Sequence, residues 1–298
     1  MGVRIKSGHE DHVQDEGRDM DGSDRLAGIR RRIDAIDAEM HRLLIARGAV
    51  IDELIGAKGT EASGAAFRPG REAAMMRRLV SRHEGRLPLA SVEHIWREII
   101  TTFTFMQAPF GVAVAPAADR LAMRDLVRFY FGFSVPLSEC ASAEEAVARV
   151  AGAGDLAVVP VAGGGLWWRE LAKTDGARIF ARLPAIEADR HPAALPAYVV
   201  GPPLGEDSDL DLAVLVLEAT GGDLEAAVAI RGGRVVAGGP DHWLAELPLA
   251  VTLEDIAEAL SEAGGALVSA ERIGALAAPI EVLAAAEPAP REAAGAAR

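Results

Sequence analysis

Arg47 interrupts an apolar seam. From Leu26 through Ile29, Ile33, Ile36, Met40 and Leu43 to Val50 and Leu54, apolar residues recur in alternating steps of three and four, and Arg47 is the cation on that line. A guanidinium on a buried stripe cannot shed its proton. It costs several kcal/mol unless an anion answers it, so the stripe holds either an internal salt bridge or an acidic ligand, and the ligand is the reading preferred here. Lys58 stands eleven residues further on. At 100° per residue the two cations point within about 20° of one another and share a helix face. Arg30, seventeen residues before Arg47, points about 100° away and addresses a partner's pocket more easily than its own. Glu72, at the start of a second helical stretch, and Gln107, near the end of a third, complete the set. Taken singly, each is a surface ion pair or a cap. Together on one helical scaffold they form a pocket for a small dianion, with no nucleophile–base pair and no metal-ligand spacing, so neither metal nor cofactor is expected.

Three helices must position these groups. The first starts after a cap at Ser23 or Asp24 and runs to about Gly59. The second begins near Arg71, with Met75, Met76, Leu79 and Val80 apolar. The third carries Val92, Ile95, Ile99, Phe103 and Met106 on one face and ends before Pro109. One very long helix and two short ones cannot enclose a core alone, so an intertwined all-helical homodimer is expected. Residues 1–23 lack any period and read as a disordered leader.

After Pro109 the pattern changes. Short apolar runs at FGVAVAP, DLAVVPVAG (155–163), LDLAVLVLE (210–218) and GRVVAGG (233–239) alternate with helical stretches near 117–131 and 252–263, the latter capped from Thr252. This is an α/β domain over 110–284, expected to have two lobes, followed by a loose tail at 285–298 rich in Ala, Pro and Glu. Gly163 to Gly165 read as a turn, Trp167 and Trp168 as core, and Cys140, the single cysteine, as a small buried residue.

Charge excludes some functions. The chain carries −13 overall, yet residues 25–109 hold 14 Lys/Arg against 10 Asp/Glu, a local net of +4. That suits a small anion and argues against a nucleic-acid partner. No apolar run reaches the roughly 18 residues of a membrane span, and the expected location is the cytoplasm.

The helical region, taken as residues 24–109, resembles the all-helical chorismate mutases of the AroQ class. LAGIRRRIDAIDAEMHRLLIAR, GAK at 56–58, FRPGRE at 67–72 and IWREIITTFTFMQ at 95–107 match in kind and order. The resemblance implies an isomerase that converts chorismate to prephenate on the route to phenylalanine and tyrosine. In it Arg47 and Lys58 hold the substrate carboxylates, with Arg30 supplied across the dimer. Lys58 and Gln107 flank the ether oxygen, and Glu72, with Arg71 beside it, accepts from the ring hydroxyl. Two positions depart from the pattern: Arg68, where some relatives carry an acid, and Phe103, where a small Ser or Cys often lies.

The α/β region resembles, more weakly, a prephenate dehydratase of two-lobed, periplasmic-binding-like form. Its DLAVVPVAGG is similar to a strand that ends there in Val-Val-Pro-Ile-Glu-Asn-Ser. Ala162, Gly163 and Gly164 replace the polar residues, and Leu195, Pro196 and Ala197 stand where the family carries Thr-Arg-Phe. A dehydratase-like fold without dehydratase activity is therefore expected. The other function compatible with these features is a non-catalytic dimer that senses an aromatic amino acid or a partner through the α/β domain.

Overall fold

In the computed structural model the described residues are 11–58, 67–153, 155–163, 165–172, 176–204 and 209–282. Residues 1–10 of the expected leader, Gly164 and the tail at 285–298 lie outside them. Contacts divide the chain into two units, Met1–Gly59 and Thr60–Arg298.

The first unit is one helix, α1 (Asp11–Lys58). It starts well before the expected cap at Ser23 or Asp24, so residues 11–23 are helical rather than a disordered leader. No proline precedes Pro69, and the acidic residues near the helix start favour its positive end, so nothing stops the helix from propagating outward. Its 48 residues span ~70 Å at 1.5 Å each. The seam read from the sequence is uncovered in the single chain: Ile36 is 59%, Met40 52% and Leu43 53% exposed.

The second unit contains α2 (Pro69–Arg82), α3 (Leu89–Gln107), β1 (Val112–Val114), α4 (Arg120–Phe131), β2 (Leu137–Glu139), α5 (Ala143–Ala153), β3 (Leu156–Pro160), α6 (Trp168–Ala172), β4 (Arg178–Leu183), β5 (Ile186–Ala188), β6 (Ala197–Gly201), β7 (Leu212–Gly221), α7 (Leu224–Ile230), β8 (Arg234–Gly238), β9 (His242–Pro248), α8 (Leu253–Glu262), β10 (Gly265–Leu276) and β11 (Ile280–Val282). By packing, α2 and α3 therefore go with the sheet, in the unit that begins at Thr60. The reasons are local. Phe67 meets Phe110 edge-on at 4.8 Å between ring centroids, Arg77 of α2 pairs with Asp211, and the Thr101 hydroxyl on α3 donates to the Tyr130 carbonyl of α4 at 2.9 Å.

On α3 the buried side differs from the apolar face read from the sequence. Val92, Glu93, Arg97, Ile100, Thr101 and Thr104 are buried, whereas Ile95 and Met106 are exposed. Polar groups can occupy that side because the sheet unit supplies partners for them.

Nine strands make one mixed sheet in the order β2-β1-β3-β6-β4-β10-β7-β9-β8, and β5 pairs with β11 separately. The halves join where β10 meets β4 in parallel at Gly274 and Ile179. A Cβ at Gly274 would run into the Ile179 carbonyl oxygen, so only glycine permits the junction. The sheet also curls. Four strand steps separate β6 from β9, ~19 Å if flat, yet the Tyr198 hydroxyl donates to the Glu246 carboxylate.

Around this sheet Trp167, Trp168, Leu171 and Tyr198 lie in one core with Val214 and Leu244. The tryptophans are core residues, as read. Thr252 and Asp255 form a capping box at α8, also as read. Cys140 is buried, and burial pushes its thiol up from the ordinary range.

Candidate active site

Arg30, Arg47 and Lys58 ride on α1. Arg30 is exposed and Arg47 half-buried. Lys58 is the last residue of the helix, and its side chain lies outside the described residues. An unbroken α-helix through all three keeps the angular relations read from the sequence.

Arg71, Glu72 and Gln107 ride on the second unit. Pro69 occupies the first turn of α2, where a missing N–H costs nothing. Glu72 follows in that turn, and the positive helix end favours its charge. Its backbone N–H donates to the Arg68 carbonyl at 2.9 Å, and Arg68 turns its guanidinium onto the Phe67 carbonyl at 2.8 Å. Arg71 is exposed and Glu72 half-buried. The Glu72 carboxylate meets a residue absent from the sequence reading: Arg97 Nη1 donates to its Oε2 at 3.2 Å. Gln107, at the end of α3, donates its amide N–H to the Phe103 carbonyl one turn back at 3.0 Å.

Behind Glu72 lies a buried polar cluster. Glu93 and His191 are fully enclosed. Glu93 Oε1 accepts from the Tyr130 hydroxyl at 2.8 Å, and Oε2 faces His191 Nε2 at 3.0 Å. His191 Nδ1 accepts the Ala193 N–H at 3.1 Å, so the ring proton sits on Nε2 and is donated to Glu93. The Tyr130 oxygen accepts the Ala185 N–H at 2.8 Å. Burial, then the Glu93 charge, pushes the Tyr130 phenol well above its usual range. One signal for this cluster was present in the sequence: Glu93, Arg97, Thr101 and Thr104 recur at helical spacing beside the apolar stripe.

Elsewhere in the second unit, Glu246 gathers Tyr198 and Arg234. Burial, then Glu281 and Glu246, raises the Glu187 carboxyl. A cavity of about 310 Å³ lies between α4 and β2, lined by Arg120, Arg124 and Arg128 over Met123, Val127 and Leu137. Where the dehydratase pattern carries polar residues, Ala162 and Gly163 follow β3 and Ala197 opens β6. Among the described residues no group of three or more His, Cys, Asp or Glu could hold a metal ion, and no helix is long and apolar enough to cross a membrane.

Residues 29–108 match the family model of chorismate mutase type II. Curated relatives include the bifunctional chorismate mutase/prephenate dehydratases of Neisseria gonorrhoeae, 30% identical over 121 residues covering 41% of this chain and 32% of the relative, and of Stutzerimonas stutzeri, 29% identical over 147 residues covering 48% and 40%. The chain thus spans about a third to two fifths of the length of these relatives. Among solved structures, the prephenate dehydratase of Arthrobacter aurescens in complex with L-Phe aligns with a TM-score of 0.37 at 13% identity, over 57% of this chain and 90% of that one. The prephenate dehydratase of Streptococcus mutans aligns with a TM-score of 0.34 at 13% identity, over 58% and 100%. Both likenesses are too slight to carry a conclusion.

Proposed function

We propose that the protein rearranges chorismate to prephenate as a homodimer, since residues 29–108 match the family model of chorismate mutase type II. That match carries the proposal. The residue types read from the sequence, cations and hydrogen-bond donors with one carboxylate, suit a reaction of this kind.

The reaction is pericyclic and needs neither a nucleophile nor a proton transfer. An enzyme assists it by selecting the folded conformer and stabilising the charge that builds on the ether oxygen. In the proposed site Arg47 and Lys58 hold the substrate carboxylates, with Arg30 reaching in from the second chain. Lys58 and Gln107 donate to the ether oxygen, and Glu72, beside Arg71, accepts from the ring hydroxyl. Phe103, half-buried on α3, narrows the room for a carboxylate and is expected to raise KM more than it lowers kcat.

The dimer is proposed from uncovered apolar surface. Large apolar side chains along α1 and at Ile95 and Met106 of α3 stand more than 40% exposed in the single chain. Covering each contributes about 1.5–3 kcal/mol, and a second copy brings the matching surface. Beyond residue 109 the proposed role is structural support without dehydratase activity.

Loss of chorismate absorbance on adding the pure protein tests the central claim, and mass photometry tests the dimer. Chorismate left unchanged by a folded dimer would favour the non-catalytic sensor instead. Conversion of prephenate to phenylpyruvate would overturn the assignment of the α/β region.

A further inference from the structure

We propose that Arg97 is the positioning residue for the Glu72 carboxylate, and that the α/β part of the chain sets where Arg97 points. This rests on the reading that Glu72 faces substrate in the mutase site.

Arg97 lies on the buried side of α3 with its side chain 10% exposed, so its charge must be answered by an anion. Glu93 stands one turn earlier on the same face, at the spacing where a carboxylate ordinarily takes an arginine. It does not do so here. Both Glu93 oxygens are engaged from the far side, Oε1 by the Tyr130 hydroxyl and Oε2 by His191. These two residues belong to α4 and to the segment after β5. They hold Glu93, and the guanidinium turns to Glu72 at 3.2 Å. The Tyr130 ring lies under it, 5.3 Å from the guanidinium carbon to the ring centroid, an arrangement that favours a cation over the aromatic face. The ring is itself held by the Ala185 N–H at 2.8 Å and by its backbone carbonyl, which accepts from Thr101 at 2.9 Å. A continuous set of contacts therefore runs from Ala193 through His191, Glu93 and Tyr130 to Arg97 and Glu72.

The consequence is chemical. To accept from a hydroxyl Glu72 must be ionised and aimed, and a guanidinium on Oε2 supplies both. Arg182 from β4 lines the same small cavity as Glu72 and Arg97, Tyr130 lines the neighbouring one, and Arg68 and Arg71 lie beside Glu72 on its own helix start.

The test uses the full-length protein and chorismate. Arg97→Gln is expected to lower kcat/KM at least tenfold and to move the acid limb of its pH profile upward by about one unit or more, because a carboxyl that loses an adjacent guanidinium holds its proton longer. Arg97→Lys should recover part of both. Glu72→Gln should remove that limb, and Arg97→Gln added to it should shift nothing further. A folded Arg97→Gln with the wild-type limb would overturn the proposal. Should that variant fail to fold, Tyr130→Phe decides: it keeps the ring but frees one Glu93 oxygen to compete for Arg97. A smaller upward shift supports the proposal, and an unmoved limb overturns it. Wild-type protein that leaves chorismate untouched would overturn the proposed function instead, a separate result read before any variant is made.

Discussion

One family model spans most of α1 and all of α2 and α3, yet the two regions satisfy their side chains by opposite routes. On α1 the apolar line through Ile36, Met40 and Leu43 stands in solvent in the single chain. On α3 the side turned inward is largely polar, and among the described residues Glu93 pairs with Tyr130 and His191 and Arg97 with Glu72, all within residues 60–298. A sequence family marks common descent, whereas packing marks which pieces hold together. Here the two boundaries fall about fifty residues apart.

The largest effect that could break this contrast comes from α1. Replacing Ile36 and Leu43 together by Asp puts charge on the seam proposed to meet a second copy. The expected result is a monomer by mass photometry with chorismate turnover reduced at least a hundredfold, since in the proposed site Arg30 reaches across the dimer. A dimer that survives would mean that the seam is not the interface. Next comes Lys58→Ala. If it resembles the loss of other oxyanion donors, it adds roughly 3 kcal/mol to the barrier, about a hundredfold in kcat, with unchanged mass and melting temperature. Undiminished turnover would remove Lys58 from the site.

The second region should respond differently. Glu93→Gln leaves a buried cluster with one partner of the wrong polarity and should destabilise the fold by about 2 kcal/mol in chemical denaturation without changing the dimer mass. A shift in mass with no change in the unfolding midpoint would reverse the contrast. Smallest is Asp223→Ala, which removes the side-chain cap on the Ala226 N–H at the start of α7. It should cost about 1 kcal/mol and leave turnover as it was. Turnover that falls with it would show that coupling to the mutase helices extends to the far end of the sheet.

The sequence made α1 legible because eight apolar positions obey one period, and a charge that breaks a period stands out. Thr252 and Asp255 were legible because a capping box is local. The inward face of α3 was not. Hydrophobic period shows which stripe is apolar, but which stripe is buried depends on what arrives to cover it, and Tyr130 and His191 lie 37 and 98 residues from Glu93. For the same reason the candidate site was read as Glu72 without Arg97. The single sheet was hidden too, since its junction depends on a glycine in β10, a strand the pattern did not mark, meeting a carbonyl in β4.

β10 carries a consequence for how the molecule is made. This strand, Gly265–Leu276, begins 82 residues after β4 ends (265 − 183 = 82) and lies inside the sheet between β4 and β7. At the ~5–20 residues per second of translation, β4 emerges several seconds before its neighbour exists and waits with an unpaired edge. Strand pairing over so long a stretch of chain is slow. During that interval the ribosome-bound chain exposes an apolar strand edge, the surface on which chaperones and aggregation compete. Closing the sheet at this junction thus waits on a residue 95 positions further along the chain (274 − 179 = 95).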